Sequence, residues 1–98
     1  MISRIVWGKL KPGVWDEFSR VWREYGNDIS NAPGFRGRML TRDRQDESAS
    51  YSISFWDSIE AYEAFKPTPY LRQLQGFFAE PFMASTHDLS VSEVPGLD

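Results

Sequence analysis

Residues 50–56, SYSISFW, run straight into residues 57–65, DSIEAYEAF. The first seven positions alternate: Ser50, Ser52 and Ser54 share one parity with Trp56, while Tyr51, Ile53 and Phe55 share the other. Such alternation marks a β-strand with two unlike faces. The period then changes. Asp57 stands where a helix cap is needed, Glu60 is placed as the acidic partner of a capping box, and Ile59, Tyr62 and Phe65 fall on one side of the helix that follows. A strand face that is small and polar for three positions and then closes with tryptophan poses the question that decides the fold: which parity meets the helices.

Working outward, residues 35–44 (FRGRMLTRDR) form a strand with Arg36, Arg38, Arg42 and Arg44 on one parity, and the turn at 45–48 returns the chain into the SYSISFW strand as a hairpin. Those arginines are expected at a wet strand edge, where charge resists edge pairing. Upstream, Ile2, Ile5, Val6, Trp7 and Leu10 mark a covered strand over 2–10 that Pro12-Gly13 ends. Val14, Phe18, Val21, Trp22, Tyr25 and Ile29 then recur at helical spacing, which predicts an amphipathic helix of about four turns that stops at 31–34. Downstream, Pro67 breaks the second helix. Thr68-Pro69 restarts it, and Tyr70, Leu71, Leu74, Phe77 and Phe78 give a further apolar stripe before Pro81. Thr86 to Val94 alternates again as a fourth strand, and 95–98 is a short tail. The order βαββαβ predicts a single α+β domain over 1–98. It is the ferredoxin-like plan, a four-stranded antiparallel sheet with both helical segments on one face.

The bulk numbers fit one small domain. The chain has 98 residues, 41% hydrophobic and 15% aromatic, so its rings line a core, a pocket or an interface. A domain this short buries proportionally little of its surface, and a partner subunit would help. The net charge of −3 and a pI near 5.1 argue against nucleic acid or an anionic membrane as partner. Without cysteine there is no disulfide or thiolate chemistry, which fits a cytoplasmic location. The N-terminal residues contain no long apolar run, so neither signal peptide nor membrane span is expected.

A sheet covered on one face leaves the other bare. Stacking two sheets face to face would cover it, and a symmetric homodimer is the expected result. Beneath the helices the serine parity leaves space for a small-molecule pocket walled by Trp56 and helix rings, and leucine at 54 would then fill space rather than overpack. The competing use of Ser52 and Ser54 is to seat rings from Phe18, Trp22 or Phe78.

The run PGFRGRML (33–40), followed by SYSISFWDSIEAYEAF (50–65), resembles the antibiotic biosynthesis monooxygenase (ABM) superfamily from the first strand to the fourth. The resemblance implies a homodimer built as a dimeric α+β barrel, with a small-molecule cavity in each subunit. In the heme-degrading branch it implies an asparagine on strand one, a tryptophan on the second helix and a histidine further on as iron ligand. Val6, Phe65 and Gln75 stand there instead. In the anthrone-oxidising branch it implies an asparagine and a tryptophan on strand three, a tyrosine on the next helix and an arginine beyond. Those positions read Ser52, Trp56, Tyr62 and Arg72.

The expected activity is therefore a cofactor-independent monooxygenase that oxidises a small aromatic substrate, an anthrone, phenol or hydroquinone, to a quinone with molecular oxygen. The sequence has no cysteine, no histidine pair and no glycine-rich phosphate loop, so metal, flavin and nicotinamide are not expected. Trp56 is the candidate donor to a developing enolate, Tyr62 the proton relay, Arg72 the charge that lowers the substrate pKa, and Ser52 the polar contact. Ser54, Phe65, Phe78 and Trp22 are candidate substrate-binding residues. His87, the single histidine, is a reserve base. A non-oxidative aromatic-binding protein or a polyketide cyclase on the same barrel is the alternative.

Overall fold

The computed structural model describes residues 1–25, 27–65 and 83–97. Strand β1 (Ile2–Leu10) leads into helix α1 (Trp15–Tyr25), a short 3-10 segment (Asn27–Asn31), the strands β2 (Phe35–Arg42) and β3 (Ala49–Trp56), helix α2 (Ile59–Phe65) and strand β4 (Met83–Glu93). The strands form one sheet in the order β2-β3-β1-β4, with every neighbouring pair antiparallel. Each βαβ crossover skips one strand, which is the ferredoxin-like topology expected from the sequence. The predicted second helical stretch from Thr68 to Pro81 lies outside the described residues.

In α1, Phe18 and Val21 are buried, and Asp16 and Glu17 in the first turn with Arg23 in the last complement the helix dipole. The helix ends at Tyr25, short of the Ile29 that periodicity assigned to it. Ser30 and Asn31 have side chains of the kind that competes for backbone hydrogen bonds, and the chain tightens there, with the Ala32 N–H donating to the Ile29 carbonyl at 3.0 Å. Ile29 is buried in the Trp56 cluster rather than on the α1 stripe.

The expected Asp57 cap is also displaced by one position. Ser58 Oγ accepts the Ala61 N–H at 3.1 Å and caps α2, while the Asp57 carboxylate pairs with Arg36. Gly34 makes the approach of the β2 entrance to α2 possible: its φ is +82°, and a Cβ there would lie 2.5 Å from that of Ala61. The Gly34 carbonyl accepts the Asp57 N–H at 2.8 Å, tying the two segments together.

The register sorts the sheet into rows. Trp56, Ile2 and Phe35 align, then Ser54 with Arg4 and Arg38, then Ser52 with Val6 and Leu40, then Ser50 with Gly8 and Arg42. These rows face the helices, so the serine parity is the inner one, as expected. Two separate clusters occupy the ends of that face. One holds Ile2, Ile29, Trp56 and Tyr62, the other Leu10, Phe18 and Val21. The outer face carries Ile5, Trp7, Ile53 and Phe55 with the exposed Met39 and Tyr51, and no described helix covers it. None of the described helices is long and apolar enough to cross a membrane.

Candidate functional site

Among the described residues, the inner face is sealed at its ends and open in the middle. Trp56 is 1% exposed, with Phe35, Tyr62 and Phe65 rings packed at centroid distances of 5.4, 6.0 and 5.1 Å. Tilted and edge-on contacts of this kind anchor a core. Between that cluster and the one around Phe18, the residues Arg4, Val6, Ser52 and Trp22 are all half-buried although they lie on the covered side of the sheet. Val91, the register partner of Arg4 on β4, is 40% exposed. Solvent therefore reaches the centre of this face.

Hydrogen bonds organise the open middle. The Trp22 indole N–H donates to Ser52 Oγ at 3.0 Å, which leaves the serine proton available to a ligand oxygen. Arg4 Nε donates to the Tyr62 hydroxyl oxygen at 3.2 Å, which turns the tyrosine proton away from the guanidinium. On the far side of the serines, Arg38 lies 3.7 Å over the Trp22 ring and donates to the carbonyls of Trp22 at 2.8 Å and Arg23 at 3.1 Å. It holds the last turn of α1 against β2 by cation–π contact and by satisfying terminal carbonyls. This corrects the expectation of a wet edge for Arg38; Arg36, Arg42 and Arg44 are exposed as expected.

Of the residues proposed from sequence, Ser52, Ser54, Tyr62, Trp22, Trp56 and Phe65 share the inner side of the sheet. Two differ in role from the expectation. The Trp56 indole N–H donates to Ser54 Oγ at 3.1 Å inside a closed cluster, so it has no proton to offer an enolate. Ser54 is 8% exposed and spent on that bond, so the space expected beside it is filled, and the opening lies one row away at Ser52. Arg72 and Phe78 lie outside the described residues. The backbone of His87 pairs with Trp7, beyond a register shift at Val6. Among the described residues no group of acidic, histidine or cysteine side chains is arranged to hold a metal.

Arg4 was not singled out by sequence reasoning. Its signal is a charge on the parity of Ile2 and Leu10, both buried, where an apolar residue is the rule.

A family model described as antibiotic biosynthesis monooxygenase matches residues 1–76. The mycobilin-producing heme oxygenase of Mycobacterium tuberculosis is 26% identical over 73 residues, spanning 74% of this chain and 70% of that protein. Among solved structures, the heme-degrader MhuD of Mycobacterium tuberculosis, with two hemes bound in its active site, is similar at 26% identity and a TM-score of 0.80, covering 100% of this chain and 98% of that one. A Bordetella bronchiseptica protein assigned to the antibiotic biosynthesis monooxygenases shares the fold at a TM-score of 0.81 and 15% identity, over 95% of each chain. The βαββαβ sheet and a family match over residues 1–76 establish that the chain belongs to the antibiotic biosynthesis monooxygenase family.

Proposed function

We propose that the protein is a cofactor-independent monooxygenase that oxidises a small anthrone, phenol or hydroquinone to a quinone. The observation that carries this reading is the pair of oriented hydroxyls, Ser52 held by Trp22 on the half-buried middle of the inner face and Tyr62, buried in the adjoining Trp56 cluster, held by the half-buried Arg4. For an anthrone the balance is simple: the ring CH2 and O2 become a ring carbonyl and water. The deprotonated substrate supplies the electrons, and the protein binds the ring, stabilises the enolate oxygen and moves a proton. Ser52 and Tyr62 are the donors to that oxygen, preorganised as an oxyanion site requires. Trp56 keeps the cluster under Tyr62 rigid.

The M. tuberculosis relatives favour a second reading, heme degradation, which the residues here do not fit. Val6 offers no hydrogen bond to bound oxygen where the resemblance implies asparagine. Phe65 packs on Trp56, and Gln75 stands at the histidine position.

The reading extends to assembly. The bare apolar face suits a second copy of the chain, giving a homodimer with both pockets facing away from the interface.

Oxygen uptake by purified protein with an anthrone, hydroquinone and phenol panel tests the activity. The expected outcome is turnover in metal-stripped buffer that Tyr62→Phe lowers by more than about tenfold, as loss of a positioned proton donor does. Binding of the same compounds without oxygen uptake would move the protein to the non-oxidative binding or cyclase alternative. Heme that binds with a sharp Soret shift and is then degraded would instead support the second reading.

A further inference from the structure

Arg4 is a half-buried residue on the inner face of a chain whose net charge is −3, yet among the described residues no carboxylate lies within ion-pair distance of it. Its Nε is committed to Tyr62, and its ring contact is distant, 5.8 Å to the Tyr62 centroid. Among the described residues the two Nη groups have no hydrogen-bond or ion-pair partner. No buried side-chain polar atom of the described residues lacks a partner, so these Nη groups reach solvent and are open to a ligand. The other inner-face arginine of the same row, Arg38, differs: helix-end carbonyls and the Trp22 ring already engage it. Val91, the register partner of Arg4 on the edge strand β4, is exposed.

From these contacts we propose that Arg4 is an anion-binding residue of the pocket and that the preferred ligand is an aromatic carboxylate. The chemistry selects the carboxylate. With Nε engaged, the free edge of the guanidinium is its Nη pair, a planar fork matched to two coplanar oxygens rather than to one phenolate oxygen. Bound there, the carboxylate sits next to the Tyr62 hydroxyl, and the oxidisable ring extends along the row toward Ser52. This inference rests on reading the inner face as the ligand site, and it adds the acidic group to the substrate class.

The test uses a matched pair of probes, 1-hydroxy-2-naphthoate and its methyl ester, titrated into the intact protein by calorimetry at constant salt. The acid should bind at least about tenfold tighter than the ester, the scale of one charge-assisted pair. Arg4→Gln should abolish that preference, bringing acid and ester to within about twofold of each other. If the glutamine variant does not fold, Arg4→Met, which keeps the stem and removes the fork, carries the same expectation. A wild-type protein that does not prefer the acid overturns the proposal, as does a folded Arg4 variant that keeps the preference. Because binding is read without turnover, acid preference in a protein that consumes no oxygen would remove the oxidative reading and leave Arg4 its ligand. Oxygen uptake with no preference for the acid would do the reverse.

Discussion

The two faces of β3 differ in the opposite sense from an ordinary sheet with helices on one side. In such a sheet the apolar parity packs under the helices and the polar parity meets water. Here Ser50, Ser52 and Ser54 go under the helices, and Tyr51, Ile53 and Phe55 go to the uncovered side. The inversion is stable because each face has its own compensation. Inside, indole donors reach Ser52 and Ser54, and no buried side-chain polar atom of the described residues lacks a partner. Outside, apolar side chains from three strands form one patch that a second subunit can cover. A polar interior and an apolar exterior are what the proposed ligand-binding protomer, paired through its sheet, would require.

The outer face gives the largest expected effect. Ile53 sits at its centre, between Ile5 on β1 and Met39 on β2, the latter 46% exposed. Light scattering should give twice 11.3 kDa for the wild type and 11.3 kDa for Ile53→Glu, because a buried carboxylate at a paired apolar face is strongly unfavourable. The variant should keep its far-UV dichroism, since the inner clusters do not involve Ile53. A wild type that runs as a monomer would remove the homodimer and leave the outer patch in need of another occupant.

The inner face gives a smaller effect that separates neighbouring rows. Ser54→Leu should destabilise by about 1–3 kcal/mol, measured by denaturant midpoint, because it overpacks a filled site and strips the Trp56 N–H of its acceptor. Ser52→Leu should shift the midpoint less, since Trp22 is half-buried and its N–H can turn to water, but should abolish binding of the naphthoate probe. Equal destabilisation by the two would mean that the middle of the face is as closed as its end. The expectation that leucine at 54 would be harmless would then fail for both rows.

What could be read from sequence was what depends on periodicity and parity. The order of elements, the hairpin, the inward serines and the closing tryptophan all follow from spacing within one segment. What could not be read depends on contacts between segments. The donor for Ser52 arrives from Trp22, thirty positions away in the chain, and Tyr62 meets Arg4 across fifty-eight. Arg38 looked like an edge arginine because β2 is an edge strand; only the position of the α1 end makes it a cap. The helix boundary at Tyr25 and the cap at Ser58 were missed for a local reason. Several candidate polar residues stood within two positions, and tertiary packing chose among them.

The smallest effect lies where the outer face meets the hairpin. Lys9, on the outer parity of β1, pairs with Asp46 in the β2–β3 turn, and Ser48 donates to the same carboxylate through its backbone N–H and hydroxyl. The Lys9 bond first, and the Ser48 bonds after it, hold the Asp46 carboxyl at about 2, below its ordinary 3.8. A carboxyl that is more acidic when folded binds fewer protons in the folded state, so its contribution is present above the ordinary value and is lost as the pH falls from about 4 to about 2. The pair is exposed and salt-screened, so the change in overall stability should be slight. The direct readout is the carboxyl carbon resonance of Asp46. It should titrate near 2 in the wild type and move upward toward 3.8 in Lys9→Ala, with Ser48 keeping it from returning fully. A midpoint unmoved by Lys9→Ala would mean that the turn alone sets the acidity. The cross-strand pair would then contribute nothing to joining the hairpin to the outer face.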